Sequence, residues 1–105
     1  DYYLDGERYE RALDCYRAAA ERHPGNPWPF LRMGKARFMS ESYAEAERDF
    51  ASVTDIVPAY YGGWLKRAES LLALGRREEA RDCAERAGRL NPYDFRIRNI
   101  RKLLK

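Results

Sequence analysis

One histidine, two cysteines and no long apolar run are what this chain of 105 residues offers to chemistry or to a membrane. His23 stands just before Pro24 with no carboxylate or nucleophile predicted to face it, so it reads as a surface or capping residue. Cys15 and Cys83 lie 68 positions apart, with no CxxC pair and no neighbouring histidine. That pattern makes no metal site. No stretch of about 18 apolar residues occurs, so no helix of the chain can span a bilayer. No glycine-rich phosphate loop appears, since Gly62-Gly63 alone is too little for one. An enzyme needs a positioned acid, base, nucleophile or metal. None is legible here, and nothing calls for a cofactor.

What is present is charge and periodicity. Hydrophobic residues make up 45% and charged residues 35%, the balance of a folded, helix-rich domain. The formal charge of +3 is uneven. Residues 95–105 hold five bases (Arg96, Arg98, Arg101, Lys102, Lys105) and no acid, while the body before them holds 15 bases and all 17 acids. A basic end can touch a polyanion. It also suits a last helix, whose C-terminal dipole prefers cations. The chain opens on Asp1 in mid-pattern and reads as a piece of a longer one, so its compartment is not legible; a cytoplasmic setting is favoured for this piece.

Pro24, Pro58 and Pro92 are spaced 34 residues apart, twice in succession. At the same period Ala12, Ala46 and Ala80 superimpose, as do Tyr16, Phe50 and Ala84, then Ala19, Val53 and Ala87. Phe30 falls on Trp64, and Gly34 on Ala68. Apolar residues at spacings of three and four predict a helix over about 8–22 (Tyr9, Ala12, Tyr16, Ala19). Further helices follow over about 27–39, 43–56, 59–74 and 77–89. A last helix carries Tyr93, Ile97, Ile100 and Leu104 on one stripe. Asn26-Pro27 and Asn91-Pro92 read as helix starts, with Asp94 reaching the free N–H groups of the first turn. Pro24-Gly25 and Gly75 read as stops.

A fixed period of 34 with small residues and aromatics in register resembles the tetratricopeptide repeat. The likeness covers essentially the whole chain. It is best in the second unit, with Phe30, Met33-Gly34, Ala46, Phe50, Val53 and Pro58. It implies an all-α, right-handed superhelix of antiparallel helix hairpins: a partial first repeat (1–26), a second (27–60), a third (61–94) and a capping helix (95–105). Three positions depart from the family pattern: Arg37 where Tyr is usual, Arg67 where Leu is usual and Ala84 where an aromatic is usual. Each arginine is expected to lay its apolar stem over the core and expose its head.

The resemblance also implies where a ligand would sit. In similar proteins the first helices of the pairs line a concave groove that receives a peptide. At helical spacing the outward side of those helices shows Trp28, Leu31, Arg32, Lys35, Phe38 and Met39, then Gly62, Leu65, Lys66, Glu69, Leu72 and Ala73, with Leu4 and Asp5 before them and Arg96 and Asn99 after. The expected groove residues are Trp28, Leu31, Arg32, Lys35, Phe38, Leu65, Lys66 and Glu69: an apolar floor beside a cationic cluster, suited to an acidic peptide with apolar anchors. The chaperone-tail clamp of some family members places Asn at the position of Arg32, and Lys and Arg at those of Gly62 and Lys66. Only the last is basic here, so that clamp is not supported. The expected partner is therefore a protein or peptide. Two other readings stand beside it: self-association through Tyr2, Tyr3 and Leu4 at the N-terminal edge, and polyanion binding by the basic last helix.

Overall fold

The computed structural model describes residues 6–104, with side chains from Tyr9 onward. Six α-helices follow one another: α1 (Gly6–Arg22), α2 (Trp28–Met39), α3 (Tyr43–Ile56), α4 (Tyr61–Ala73), α5 (Arg77–Leu90) and α6 (Phe95–Leu103). Each packs on its neighbours in sequence, and α4 also touches α6 across α5. Short connections make the pairs α2/α3 and α4/α5 antiparallel hairpins, with α2, α4 and α6 in one layer and α1, α3 and α5 in the other.

The repeat appears again as equivalent burial. Ala46 and Ala80, Phe50 and Ala84, and Val53 and Ala87 are all fully buried. Phe50 needs its room from Gly34, where an added Cβ would lie 2.5 Å from the ring. That close approach is why a glycine stands mid-helix despite its poor helix propensity. In α1 the deepest residues are Leu13 and Ala20, which cluster with Met33 of α2, whereas Tyr9 and Tyr16 are only partly buried.

Both hairpins turn by one device. Glu41 N–H donates to the Phe38 carbonyl (3.0 Å) and Ser42 N–H to that of Arg37 (2.8 Å). One period later Gly75 N–H donates to Leu72 (3.0 Å) and Arg76 N–H to Leu71 (2.9 Å). These are paired Schellman bonds, closed through a left-handed residue. It is Gly75 at φ +80° in the third unit and Glu41 at φ +64° in the second.

Helix starts hold one surprise. Asn26 Oδ1 accepts from Trp28 N–H (3.1 Å), as expected of a cap before Pro27. At α6, however, the cap is Asp94, whose Oδ1 accepts from Arg96 N–H at 2.9 Å, and Pro92-Tyr93 form a turn ahead of the helix. The expected stripe therefore loses Tyr93, which is 92% exposed, and keeps Ile97, Ile100 and Leu104, which are buried. The α6 C-terminus is tied back by Arg77 donating to the Leu103 carbonyl and Arg81 to that of Leu104, each at 2.7 Å.

The two unusual arginines do not expose their heads. Arg37 reaches the Asp49 carboxylate of α3, and Arg67 donates to Glu47 (2.9 Å) and to Thr54 Oγ1 (3.1 Å) of the same helix. Thus α3 carries two acids that tie it to the helix on either side. Burial pushes the Asp49 carboxyl up to about 6, against the opposing pull of Arg37. Cys83 is a buried filler whose thiol is pushed up by the same desolvation, but Cys15 is exposed, and neither forms a disulfide.

Candidate peptide-binding face

The layer of first helices is where the charge collects. Helix α2 has three bases and no acid, α4 has two and one, and α6 has four and none. By helix that is nine cations to one acid, Glu69, although Arg37 and Arg67 turn inward to acids of α3 and Arg96 is held by Asp94. The opposite layer, α1, α3 and α5, carries twelve acids and nine bases. The whole-chain charge hides this segregation.

The predicted residues divide into three sets. Arg32 and Lys35 lie on α2, exposed and one turn apart, and neither makes an ion pair among the described residues. Phe38, one further turn along, packs edge-on to Tyr43 (centroids 5.1 Å apart) and has the Lys66 ammonium 5.8 Å from its ring centroid. Lys66 in turn pairs with Glu69 on its own helix, Nζ to Oε1 at 3.3 Å. These five residues form a continuous path from α2 to α4.

Leu31 and Leu65 do not join it. Leu65 is 1% exposed within the cluster of α4, α5 and α6, and Leu31 sits against Ala46, Phe50 and Val53. Both are held by the second helix of their own hairpin and offer no surface to a ligand. The apolar floor is supplied instead by Phe38, Leu72, Ile100 and Leu103, which line a cleft of about 410 Å³ between α4 and α6 together with Glu69, Ala73, Arg96 and Asn99. Leu103 was missed by sequence reasoning, although it lies one turn beyond Asn99 and two beyond Arg96. Those two residues were already placed on this face.

Trp28 marks the far end of the layer. Its ring is half exposed and meets Tyr60 edge-on at 5.8 Å, with Tyr61 beyond at 6.4 Å from Tyr60. The Tyr60 ring also fills the space that a side chain at Gly62 would need, since an added Cβ would lie 2.7 Å from it. A side chain at this position has to displace that ring first. Arg96 is less free than Arg32 and Lys35. Asp94 grips its head through Nε (3.1 Å) and Nη2 (2.8 Å). That grip and the Arg96 backbone N–H hold the Asp94 carboxyl well below the usual range. The edge residues Tyr2, Tyr3, Leu4 and Asp5 lie outside the described residues.

A stack of antiparallel helix pairs with one layer cationic and cleft is a helical-repeat interaction scaffold. The tetratricopeptide-repeat profile matches residues 61–104. Human RNA polymerase II-associated protein 3 is 30% identical over 103 residues, 97% of this chain, although the chain spans only 15% of that protein's length. Among solved structures, the first repeat domain of Spaghetti (RPAP3) bound to the HSP90 peptide SRMEEVD superposes with a TM-score of 0.85 at 30% identity, over 92% of this chain and 78% of that one. The first such domain of the human RPAP3 protein gives a TM-score of 0.83 at 30% identity, over 92% and 77%. The chain belongs to the tetratricopeptide-repeat family.

Proposed function

We propose that this chain is a non-catalytic interaction module that binds an acidic peptide segment across α2, α4 and α6. The observation that carries the reading is the pair Arg32 and Lys35, exposed and without ionic partners among the described residues, on a layer with nine cations and one acid. Carboxylates of a ligand would meet Arg32 and Lys35, and an apolar side chain would enter the cleft beside Phe38 and Leu72. The acidic peptide held by the similar Spaghetti (RPAP3) domain supports the ligand class. The clamp positions differ, with Arg32 and Gly62 here, so the pattern of carboxylates read by this chain is its own.

The test is a peptide-display selection on the chain, repeated with Arg32→Glu/Lys35→Glu. Both side chains are exposed, so the variant keeps its fold, checked by circular dichroism. Acidic sequences with an apolar anchor should be enriched by the wild type and lost by the variant. Equal enrichment by both, or none by a folded wild type, overturns the reading.

A further inference from the structure

Glu69 is out of place by charge. It is the one acid on α2, α4 and α6, and it stands on the wall of the cleft. Its Oε1 is shut off from solvent and accepts no hydrogen bond of good geometry. What satisfies it is the Lys66 ammonium 3.3 Å away. Lys66 also lies over the Phe38 ring, one helical turn from Lys35. The lysine is therefore the link between the cationic stretch of α2 and the cleft, and a carboxylate of the chain itself already holds it.

From this we infer that Glu69 is a built-in competitor for the ligand carboxylate: an acidic peptide binds by drawing Lys66 away from Glu69. The inference rests on the acidic-peptide reading and adds a residue that sets its threshold. A lysine–glutamate pair one turn apart on a single helix, its side chains 29% and 28% exposed, is weak enough to be exchanged. When Lys66 leaves, the shielded Glu69 oxygen needs another donor, because an unpaired buried carboxylate is costly. The Asn99 amide, which lines the same cleft from α6, is one candidate donor, and a backbone N–H of the incoming peptide is another. The exchange selects against ligands with a single weakly placed carboxylate, which cannot both engage Arg32 and Lys35 and capture Lys66. It favours a run of acids next to an apolar residue.

The probe is fluorescein-labelled SRMEEVD, with its neutral counterpart SRMQQVN-amide as the control, read by fluorescence anisotropy at low salt. Glu69→Gln should tighten binding about five- to tenfold, the size of a directly coupled pair. In a Lys66→Met background the same change should alter affinity by less than about twofold, since the competition has lost its object. Glu45→Gln on the opposite layer should leave affinity unchanged, which separates the contact from the general field. If the wild type binds SRMEEVD and Glu69→Gln binds it equally or more weakly, or if the gain persists without Lys66, the competition is wrong and the binding face stands. If neither protein prefers SRMEEVD to the neutral peptide, the same pair of variants is compared on the acidic sequence most enriched by the display selection, and no preference there either makes the acidic-peptide reading fail with the competition.

Discussion

Arg37 donates to both oxygens of Asp49, at 3.0 and 3.2 Å, where the following repeat has Leu71 against Cys83. The two pairs are equivalent, each member being 34 positions from its counterpart. Leu71 and Cys83 are buried in one cluster, and Arg37 and Asp49 are largely buried too, with side chains 19% and 10% exposed. The same exchange occurs between repeats. Leu13 and Met33 pack together in the first interface, and one period on the places belong to Glu47 and Arg67, which pair at 2.9 Å. The fold accepts either solution at one register, so the ion pairs are not required by the architecture.

That equivalence makes a clean test. Removing one partner, as in Arg37→Ala, strands a desolvated carboxylate and should cost about 3 kcal/mol. Transplanting the neighbour's solution, Arg37→Leu/Asp49→Cys, should be neutral or stabilising. The pH dependence follows from the direction of the shift. Folded Asp49 holds its proton up to about 6, against an ordinary value of 3.8, so unfolding near pH 5 releases a proton. Its contribution to stability therefore falls as pH rises from about 4 to about 6, by roughly 3 kcal/mol, and is level above that. Urea melts across this window should show the slope in wild type and its absence in Asp49→Asn. A slope that is equal in both would mean that Arg37 cancels burial, and a stability that rises with pH in wild type alone would mean that it outweighs it.

Glu41 carries a second cost. A glutamate at φ +64° pays for its Cβ in a conformation that Gly75 adopts freely at the equivalent turn. Glu41→Gly should raise stability by about 1 kcal/mol, and Gly75→Ala should lower it by about the same amount. Thermal melts of the two variants, moving in opposite directions, would confirm that the turns are equivalent.

The hairpins were legible because their signal is local: Ala46, Phe50, Val53 and their 34-residue equivalents need only the period. The heads of Arg37 and Arg67 were not, because their partners Asp49 and Glu47 lie 12 and 20 residues away on a helix whose rotation decides the contact. Leu31 and Leu65 look outward on a helical wheel, yet the second helix of each hairpin covers them. The start of α6 was misplaced by three residues, because Asn91 and Asp94 are both good caps and only the packing of Ile97 chooses between them. The charge segregation was present in the sequence all along. It becomes visible once the helices are sorted into layers, where twelve of the acids fall on one side.

Two glycines give the last prediction, because a Cβ at either would overlap an aromatic ring, at Gly34 in the middle of α2 and at Gly62 in the first turn of α4. At Gly34 the ring is Phe50, fully buried, with no direction in which to yield. At Gly62 it is Tyr60, only partly buried and approached at its outer atoms, so the ring can swing toward Trp28 and solvent. Alanine gains up to about 1 kcal/mol in helix propensity at Gly34, inside α2, and less at Gly62 in the first turn of α4. Gly62→Ala should therefore be close to neutral. Gly34→Ala should lose about 1–3 kcal/mol through overpacking, net of that gain. Denaturant melts of the two variants would decide it. Equal stability would show that α2 and α3 can separate without loss, and the tight Gly34–Phe50 approach would then not be what fixes the spacing of this hairpin.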